Sequence, residues 1–585
     1  MKALYEKIRY IFDRDEKIKF VILFVMLLAG SLFEMLGVSM IMPFLQVAMD
    51  PGQIEKNNLY HEIYILFRCT SVNGFLIVAA AALILIYLIK NIYLIFMNYI
   101  QYRFINNHQN RLSVNLLRCY LQKPYTFHTQ KNSSEILRIV TNDVAQLFEL
   151  VKTVLGLMSE ILTVTAIGIF LLIMDVKMTL VIMLMLALFV AFVFGFLKKR
   201  TYKLGEESRK SNSKMIQWVN QALGGIKEIK VSNTEEFFVE NYRYYGKKNF
   251  DISRRISMYG VIPSYIMEVL LISCVLGIIL IKLLLGADVL YLISKMSIFI
   301  YAAIRLLPSA NRISGYLGLL NYLKPSIDVI YSDLRESETA NRQQLVDTCT
   351  GEPVQYKAGQ ENIEINSLTY RYPDAEENVL YNVSFNIPMN KSIAFVGPSG
   401  AGKTTLADLI LGILEPTEGN ITYKGKSIHK NQREWSKLLG YIPQNIYLSD
   451  DTIRNNVAFG VNEKDIDDSK IWEVLGQAQL DDFVKSLESG LDTVVGEQGA
   501  RLSGGQRQRI GIARALYHDP SILVLDEATS ALDNETEKAV MQAIEMLQGQ
   551  KTLIIIAHRL STIEKCDIIY EVNNKSIKQT KGEKT

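Results

Sequence analysis

The sequence predicts an α-helical membrane domain with six spans, fused to a soluble α/β domain of the P-loop type that carries a helical subdomain. Long apolar runs dominate the chain up to about residue 304, whereas the sequence beyond about residue 362 has the pattern of a soluble protein. The segment Gly397-Pro-Ser-Gly-Ala-Gly-Lys-Thr404 follows an apolar run, precedes a helical pattern and fits G-x-x-x-x-G-K-[ST]. The expected division is 1–325 for the membrane domain, 326–360 for a polar linker and 361–585 for the nucleotide-binding domain.

Six apolar segments are candidate membrane spans, because a helix needs about 20 apolar residues to cross a hydrocarbon core about 30 Å thick. They are 20–49, 69–89, 153–174, 178–197, 256–281 and 289–307. Lys and Arg are concentrated between spans 2 and 3 and between spans 4 and 5, which predicts that these long loops and both termini are cytoplasmic. The loops show helical periodicity, so we expect spans 2 to 5 to continue as helices into the cytoplasm. The first apolar segment is too long for a signal peptide, so we expect no cleavable signal.

Charged residues inside the spans are candidates for the transport path. Glu34, Glu160 and Glu268 lie in apolar segments, where polar groups usually face a bundle interior or an aqueous cavity. A helix–helix hydrogen bond is an equally open interpretation of each of them. Arg305 and Arg312 are seven residues apart and share a helix face, where two guanidinium groups could bind a phosphate bidentately. Snorkelling or anchoring at the inner membrane surface remains the alternative for this pair.

Composition restricts the partners and the redox chemistry. The five cysteines are odd in number and show no C-x-x-C spacing, so the sequence indicates reduced thiols rather than disulfides or zinc. The net charge of +3 carries little information, and we expect a lipid bilayer rather than nucleic acid as the partner.

The P-loop residues have the chemistry to hold a nucleotide. Its glycines, Gly397, Gly400 and Gly402, allow backbone N–H groups to converge on phosphates, together with the neighbouring Ser399 and Thr405. We expect Lys403 to contact the β- and γ-phosphates and Thr404 to bind Mg²⁺. ATP and Mg²⁺ are therefore the expected cofactors.

A second strand predicts the catalytic carboxylates. The apolar run 522–525 delivers Asp526 and Glu527 at its end. We expect Asp526 to hold Mg²⁺ and Glu527 to act as the general base toward the attacking water.

The tract Leu502-Ser-Gly-Gly-Gln506 opens a predicted helix that runs to about Tyr517. In combination with the P-loop it identifies the chain as a member of the ATP-binding-cassette (ABC) ATPases, which implies a RecA-like nucleotide-binding domain. The layout of six spans fused to one cassette resembles the ABC exporter half-transporters. In that family Ser503, Gly504, Gly505 and Gln506 close on ATP that is held by the P-loop of the other subunit. One chain carries one P-loop and one signature, and none of its catalytic elements departs from the family pattern, so a homodimer is expected.

The same resemblance implies roles for further residues. Tyr372 would stack on adenine, with Tyr370 as the second choice, and Gln444 would contact Mg²⁺ and relay the state of the site to the membrane domain. His558 would sense the γ-phosphate. The segment 496–499 resembles an exporter-specific loop, and 530–533 a segment that crosses the dimer interface. Short coupling helices would lie near 125–130 and 234–240, although ordinary loop residues are the alternative there.

The sequence indicates the class of transporter more strongly than it indicates the transported molecule. The stretches 34–43, 305–312 and 444–448 resemble the lipid-linked oligosaccharide flippases of bacterial N-glycosylation, which implies transfer of a polyprenyl-pyrophosphate glycan across the bacterial inner membrane. Arg305 and Arg312 would then bind the pyrophosphate, and 55–67 would form a short external helix. Ser264 stands where that subgroup leads us to expect another arginine, which predicts either weaker binding of phosphate or a different phosphate-bearing cargo. A lipid or multidrug exporter is the alternative, while a soluble ABC ATPase and an ATP-gated channel fit less well.

Overall fold

The computed structural model describes residues 6–7, 10–12, 14–49, 52, 64–65, 71–174, 176–284, 289–349, 362–373, 375–526, 534–556 and 563–581. The chain divides into two compact units. One comprises Met1–Lys123 and His128–Arg342, and the other comprises Pro124–Phe127 and Gln343–Thr585. The described part of the first unit is helical, whereas the second contains β-sheet.

Long helices make up most of the described chain before residue 350. In chain order the helices are α1 (Arg14–Met49), α2 (Val72–Leu121), α3 (Tyr125–Gln130), α4 (Ser133–Arg138), α5 (Val144–Met174), α6 (Val176–Gly224), α7 (Ile226–Ser232), α8 (Glu235–Leu284) and α9 (Val289–Cys349). A π-helical turn, Ile139–Asp143, joins α4 to α5.

Over their described residues the predicted spans fall within these helices, except that α2 begins at Val72, three residues after the predicted start of the second span. Within the described residues, four stretches are long and apolar enough to cross a membrane: Glu16–Gly37, Val72–Leu121, Ser133–Ile173 and Thr179–Gly224. The expected helical extensions are also present, because α2, α6 and α8 continue far beyond their apolar segments. A membrane helix of about 20 residues therefore accounts for only part of each of these elements.

The structure corrects the position of one predicted loop helix. A short helix is present at Tyr125–Gln130, as predicted. The second short helix, Ile226–Ser232, ends before the predicted 234–240, because Asn233 adopts a left-handed conformation (φ 49°) that stops it. Residues from Glu235 onward already belong to α8. Of the predicted external helix at 55–67, only residues 64–65 are described, and they are helical.

The predicted linker is helical over much of its length, since α9 continues to Cys349. Leu323, Ile327 and Ile330 are buried at helical spacing, so the apolar stripe of α9 extends past Ser326 and keeps the helix packed on its neighbours. The polar composition of this segment concealed the stripe.

The helices approach closely at one glycine. A Cβ at Gly205 of α6 would lie 2.1 Å from the carbonyl oxygen of Tyr322 of α9. Small residues allow helix backbones to approach in this way. By contrast, Gly195 of the same helix has nothing within 4 Å of its Cβ position.

We expect Gly205→Ala to separate α6 from α9 and lower the stability of the membrane unit by about 1–3 kcal/mol, as overpacking does elsewhere. The measurement is the unfolding midpoint of the detergent-purified full-length protein. Gly195→Ala is the matched control in the same helix and should leave the midpoint unchanged or slightly raised. Equal midpoints for the two variants would contradict the proposed contact.

The second unit contains two sheets within the described residues. The strands are β1 (Asn362–Tyr370), β2 (Leu380–Pro388), β3 (Ser392–Val396), β4 (Glu418–Tyr423), β5 (Lys426–Ser427), β6 (Leu439–Ile442), β7 (Ile522–Asp526), β8 (Thr552–Ile556), β9 (Ile568–Asn573) and β10 (Ser576–Lys581). One sheet has the order β2-β1-β4-β5 and is antiparallel, and the other has the order β10-β9-β3-β8-β7-β6. Strands β9, β3, β8, β7 and β6 of the second sheet run parallel.

Helices cover the parallel sheet and form the helical subdomain. They are α10 (Lys403–Ile410), α11 (Gln432–Ser436), α12 (Ile453–Val457), α13 (Asp468–Gln477), α14 (Asp481–Ser486), α15 (Gly504–Leu516) and α16 (Asn534–Glu545). One apolar core lies between the two sheets and α10, and another packs the parallel sheet against α12, α13 and α15. Both faces of β7 and β8 are buried, which explains why their sequences are continuous apolar runs rather than alternating patterns.

Candidate functional site

The P-loop connects β3 to α10 through backbone conformations that favour glycine. Gly397 and Gly402 have φ values of 147° and 99°. A Cβ would lie 2.2 Å from the carbonyl oxygen of Val572 at Gly397, and 2.9 Å from Cγ1 of Val379 at Gly402. Because neither position accepts a side chain, the loop stays thin and its N–H groups can approach an anion.

Lys403 closes this loop from the first turn of α10. Its Nζ donates to the carbonyl oxygens of Gly397 at 2.9 Å and Pro398 at 3.0 Å, and the residue is 5% exposed. Ser399, Gly400 and Thr404 are exposed beside it. A positive charge, a glycine-lined loop and a helix N-terminus thus meet at one place, and these features fit a polyphosphate.

Two tyrosines lie between the start of β1 and the start of β2, and they differ in exposure: Tyr370 is buried and Tyr372 is exposed. The Tyr372 hydroxyl lies 3.1 Å from Oγ1 of Thr405 on α10, and its side chain is partly exposed. The ring of Tyr370 packs edge-on against that of Tyr372, with 5.0 Å between centroids, and Tyr370 is buried. Only Tyr372 therefore offers a ring face beside the P-loop helix.

The parallel sheet brings the other predicted residues to the same edge. Phe395 of β3 pairs with Ile556 of β8, which pairs in turn with Asp526 of β7. Strand β8 lies between β3 and β7, and neighbouring strands are about 5 Å apart, so Asp526 lies about 10 Å from the end of β3, where the P-loop begins. Gln444 follows the end of β6, the next strand in the sheet, and is exposed. Ligand sites of α/β proteins lie at the carboxyl ends of such strands.

Two predicted catalytic residues, Glu527 and His558, lie outside the described residues, as does the segment 530–533. Glu527 directly follows Asp526 in the chain, and His558 follows β8 by two residues. Their catalytic roles stay predictions.

Asp408 is a site residue that sequence reasoning missed. It lies on α10, one turn after Thr404, and is partly buried. Burial, together with the negative charge of Asp526, raises the pKa of the Asp408 carboxyl from its ordinary value of 3.8 to about 6. The i, i+4 spacing from Thr404 was the available signal, since it puts both residues on one helix face.

The signature segment begins α15 with its own capping interactions. Ser503 Oγ accepts from the N–H of Gln506 at 3.2 Å, and the Ser503 N–H donates to Oε1 of Gln506 at 2.8 Å. This capping box leaves Ser503 and Gly504 exposed at the N-terminus of the helix, while Gly505 is buried. Such a helix start is suited to binding an anion.

The far end of α15 is tied to the loop that follows Gln444. Nη1 of Arg514 donates to the carbonyl oxygen of Tyr447 at 2.7 Å, and its Nε donates to that of Asn456 at 2.8 Å. Asn456 is fully buried and also bonds to the backbone of Ser449. The signature helix and the segment after Gln444 are therefore held as one piece, which sequence reasoning did not predict.

In the first unit, a polar cavity of about 240 Å³ opens between α1, α2, α5 and α9. Glu34, Glu160 and Arg312 line it. Lys90 donates to Glu34 at 3.2 Å, and Arg312 contacts Glu160 through Nε at 2.5 Å and through Nη2 at 3.1 Å. Glu34 and Glu160 thus each form an ion pair with a residue of another helix, as the helix–helix interpretation predicted, and both also line a cavity, as the transport-path interpretation predicted. Lys90 was missed because it immediately follows the predicted second span.

The remaining cargo candidates are placed only in part. Glu268 is exposed on α8 and is not among the residues lining this cavity. Arg305 belongs to α9, but its side chain is outside the described residues.

The raised pKa of Asp408 gives a pH-dependent prediction. The folded state binds this proton more tightly than the unfolded state, so the carboxyl lowers stability as the pH rises from about 4 to about 6, and the loss persists above that range. We expect Asp408→Asn to be more stable than the wild type by roughly 1–2 kcal/mol at about pH 7.5. The gain should disappear as the pH falls below about 4.

The measurement is thermal unfolding of the full-length protein without nucleotide or Mg²⁺, across this pH range. Asp450→Asn is the control, because Asp450 is an exposed carboxylate in the same unit. A gain of equal size at acidic and neutral pH would show that the stabilisation does not come from this ionisation.

Comparison with known proteins agrees with this arrangement. The ABC transporter transmembrane region family matches residues 19–300, and the ABC transporter family matches residues 380–530. The chain is 32% identical to an ATP-dependent lipid A-core flippase of Cupriavidus metallidurans over 77% of this chain and 74% of that protein. It is also 32% identical to the protein of the same name from Vibrio vulnificus, over 78% of this chain and 77% of that protein.

A solved structure of a bacterial Atm1-family ABC exporter with ATP bound shares the fold, with a TM-score of 0.72 and 21% identity over 97% of this chain and 95% of that chain. A helical transmembrane domain is therefore fused to an ABC ATPase domain in one polypeptide. The chain belongs to the ABC transporter family, as an exporter half-transporter and an ATP-hydrolysing translocase.

Proposed function

We propose that the protein is a homodimeric flippase that moves a lipid-linked oligosaccharide, a polyprenyl-pyrophosphate glycan, from the inner to the outer leaflet of a bacterial inner membrane. The observation that carries this proposal is the polar cavity between α1, α2, α5 and α9, where Arg312 is half exposed. The second candidate is a general lipid or multidrug exporter. It is favoured by relatives that are named lipid A-core flippases.

Each subunit would contribute six membrane spans and half of each ATP site. The P-loop of one subunit would bind the phosphates through its backbone and Lys403, while Ser503 and Gly504 of the other would cap the γ-phosphate from a helix N-terminus. Tyr372 would stack on adenine, because its ring is exposed where that of Tyr370 is buried. Thr404, Gln444 and Asp526 would hold Mg²⁺, which neutralises phosphate charge when bound.

Hydrolysis would depend on Glu527. Its carboxylate accepts a proton from the water that attacks the γ-phosphorus, and the bond from that phosphorus to the oxygen it shares with the β-phosphate breaks to leave ADP and inorganic phosphate. His558 would contact the γ-phosphate. Gln444 would relay the closure of the two nucleotide-binding domains to the membrane domain. The loop after Gln444 is fixed to α15 by Arg514.

We expect Glu527→Gln to bind ATP with near-normal affinity and to lose nearly all hydrolysis, because glutamine has the same shape but is a far weaker base. Nucleotide binding and phosphate release, measured on the same purified protein, check this. Glu545→Gln, on α16, is the control and should keep full turnover. Normal hydrolysis by Glu527→Gln would mean that another residue is the base.

The exposed guanidinium in the cavity argues for an anionic cargo. The planar donors of Arg312 match the oxygens of a phosphate. Arg305 lies two turns earlier on α9, on the same helix face, and would add a second guanidinium. A pyrophosphate carries enough charge to use both.

We expect Arg305→Ala and Arg312→Ala each to reduce leaflet transfer of a polyprenyl-pyrophosphate glycan in proteoliposomes by about 10- to 100-fold, the loss that follows when a charge-assisted hydrogen bond worth about 1.5–3 kcal/mol is removed. ATP hydrolysis without cargo should persist. Arg254→Ala is the control, because Arg254 is an exposed arginine paired with Asp251 on α8. Unchanged transfer in both variants would remove these residues from the cargo site, and stimulation by apolar drugs alone would favour the second candidate.

A further inference from the structure

We propose that Glu160 is a counter-ion that weakens the hold of Arg312 on the anionic headgroup of the cargo, so that the headgroup can be released. This inference rests on the proposed function, because it requires an anionic group to enter the cavity between α1, α2, α5 and α9. It assigns a role to an acid for which the sequence left two interpretations open.

The contact between the two side chains uses one edge of the guanidinium. Oε1 and Oε2 of Glu160 accept from Nε and Nη2 of Arg312 at 2.5 and 3.1 Å. In the part of the chain that the structure describes, Nη1 of Arg312 makes no hydrogen bond. The Arg312 side chain is 51% exposed, whereas that of Glu160 is 13% exposed. A group entering the cavity therefore meets the open edge of the guanidinium before it meets the carboxylate.

The neighbouring turns hold this pair in place. Gly156 lies one turn before Glu160 on α5, and Tyr316 lies one turn after Arg312 on α9. A Cβ at Gly156 would come within 2.7 Å of Cζ of the Tyr316 ring, so the absent side chain leaves room for that ring against α5. Residues four apart share a helix face, so this contact and the contact of Glu160 with Arg312 lie on the same facing sides of α5 and α9.

Two further charged residues that line the cavity, Glu34 and Lys152, also form ion pairs. Lys90 is paired with Glu34 at 3.2 Å, and Lys152 with Glu149 at 3.2 Å. An anionic headgroup would thus meet a guanidinium whose charge is already partly neutralised. A transporter needs such moderate binding, because a site that holds its cargo tightly releases it slowly.

The effect of Glu160→Gln on headgroup binding distinguishes a counter-ion from a carboxylate that only orients the guanidinium. Glu160→Gln keeps a hydrogen-bonding side chain of the same size but removes the negative charge. If the charge opposes cargo binding, the variant should bind the headgroup more tightly, by about two- to fivefold for an ion pair that is half exposed. If Glu160 only positions Arg312, the variant should bind the headgroup equally or more weakly.

The experiment uses the full-length protein in proteoliposomes, with polyprenyl-pyrophosphate glycan titrated while ATP hydrolysis and leaflet transfer are followed. For Glu160→Gln we expect the KM for the glycan to fall about two- to fivefold and the maximal transfer rate to fall as well. Glu160→Gln combined with Arg312→Gln should show no fall in KM relative to Arg312→Gln alone. Glu206→Gln is the matched control, since Glu206 forms an exposed ion pair with Lys210 on α6.

The outcomes separate this inference from the proposed function. An unchanged or raised KM in Glu160→Gln, with a wild type that transfers the glycan, overturns the inference alone. A wild type that neither responds to the glycan nor transfers it overturns both.

Discussion

The nucleotide site depends on one geometric constraint, that parallel strands of a single sheet end at a common edge. The row from Phe395 through Ile556 to Asp526 fixes how far the phosphate loop lies from the acidic residue. The strands are buried on both faces, so a shift of register would move apolar side chains and the site together. Residues that are more than a hundred positions apart in the chain are therefore brought to the same edge of the sheet by its register.

The loop itself depends on the absence of side chains. At Gly397 a Cβ would overlap the carbonyl oxygen of Val572, which belongs to the neighbouring strand β9. The P-loop is thus shaped by the sheet as much as by its own sequence. Asp408 shows a second consequence of this arrangement: partial burial and the negative charge of Asp526 raise the pKa of its carboxyl to about 6.

The membrane unit follows a different constraint, that a charge among apolar helices must find a partner. Glu34 and Glu160 each meet a cation from another helix, and both pairs border the same cavity. Glu34 and Glu160 can therefore stabilise the helix packing through their ion pairs and still border the cavity proposed for the cargo. Because Arg312 is much more exposed than its partner, the pair presents a cation to the cavity while its net charge stays small.

The sequence by itself determined the family and the long helices and predicted which residues bind phosphate, because these depend on local patterns: apolar length, glycine spacing and a strand that ends in acids. The strands at β3, β7 and β8 and the start of α15 at the signature lie where those patterns predicted. Tertiary structure alone decided that Glu160 meets Arg312, that Asp526 lies near enough to raise the pKa of the Asp408 carboxyl, and that Arg514 holds the loop after Gln444. Each of these contacts joins residues far apart in the chain or on separate helices, and a pattern along one segment contains no information about which side chain of another segment will lie opposite it. The same reason explains the helical linker, where the burial of Ile327 and Ile330 outweighed the polar local composition. The second short helix ends for a local reason instead, the left-handed conformation of Asn233.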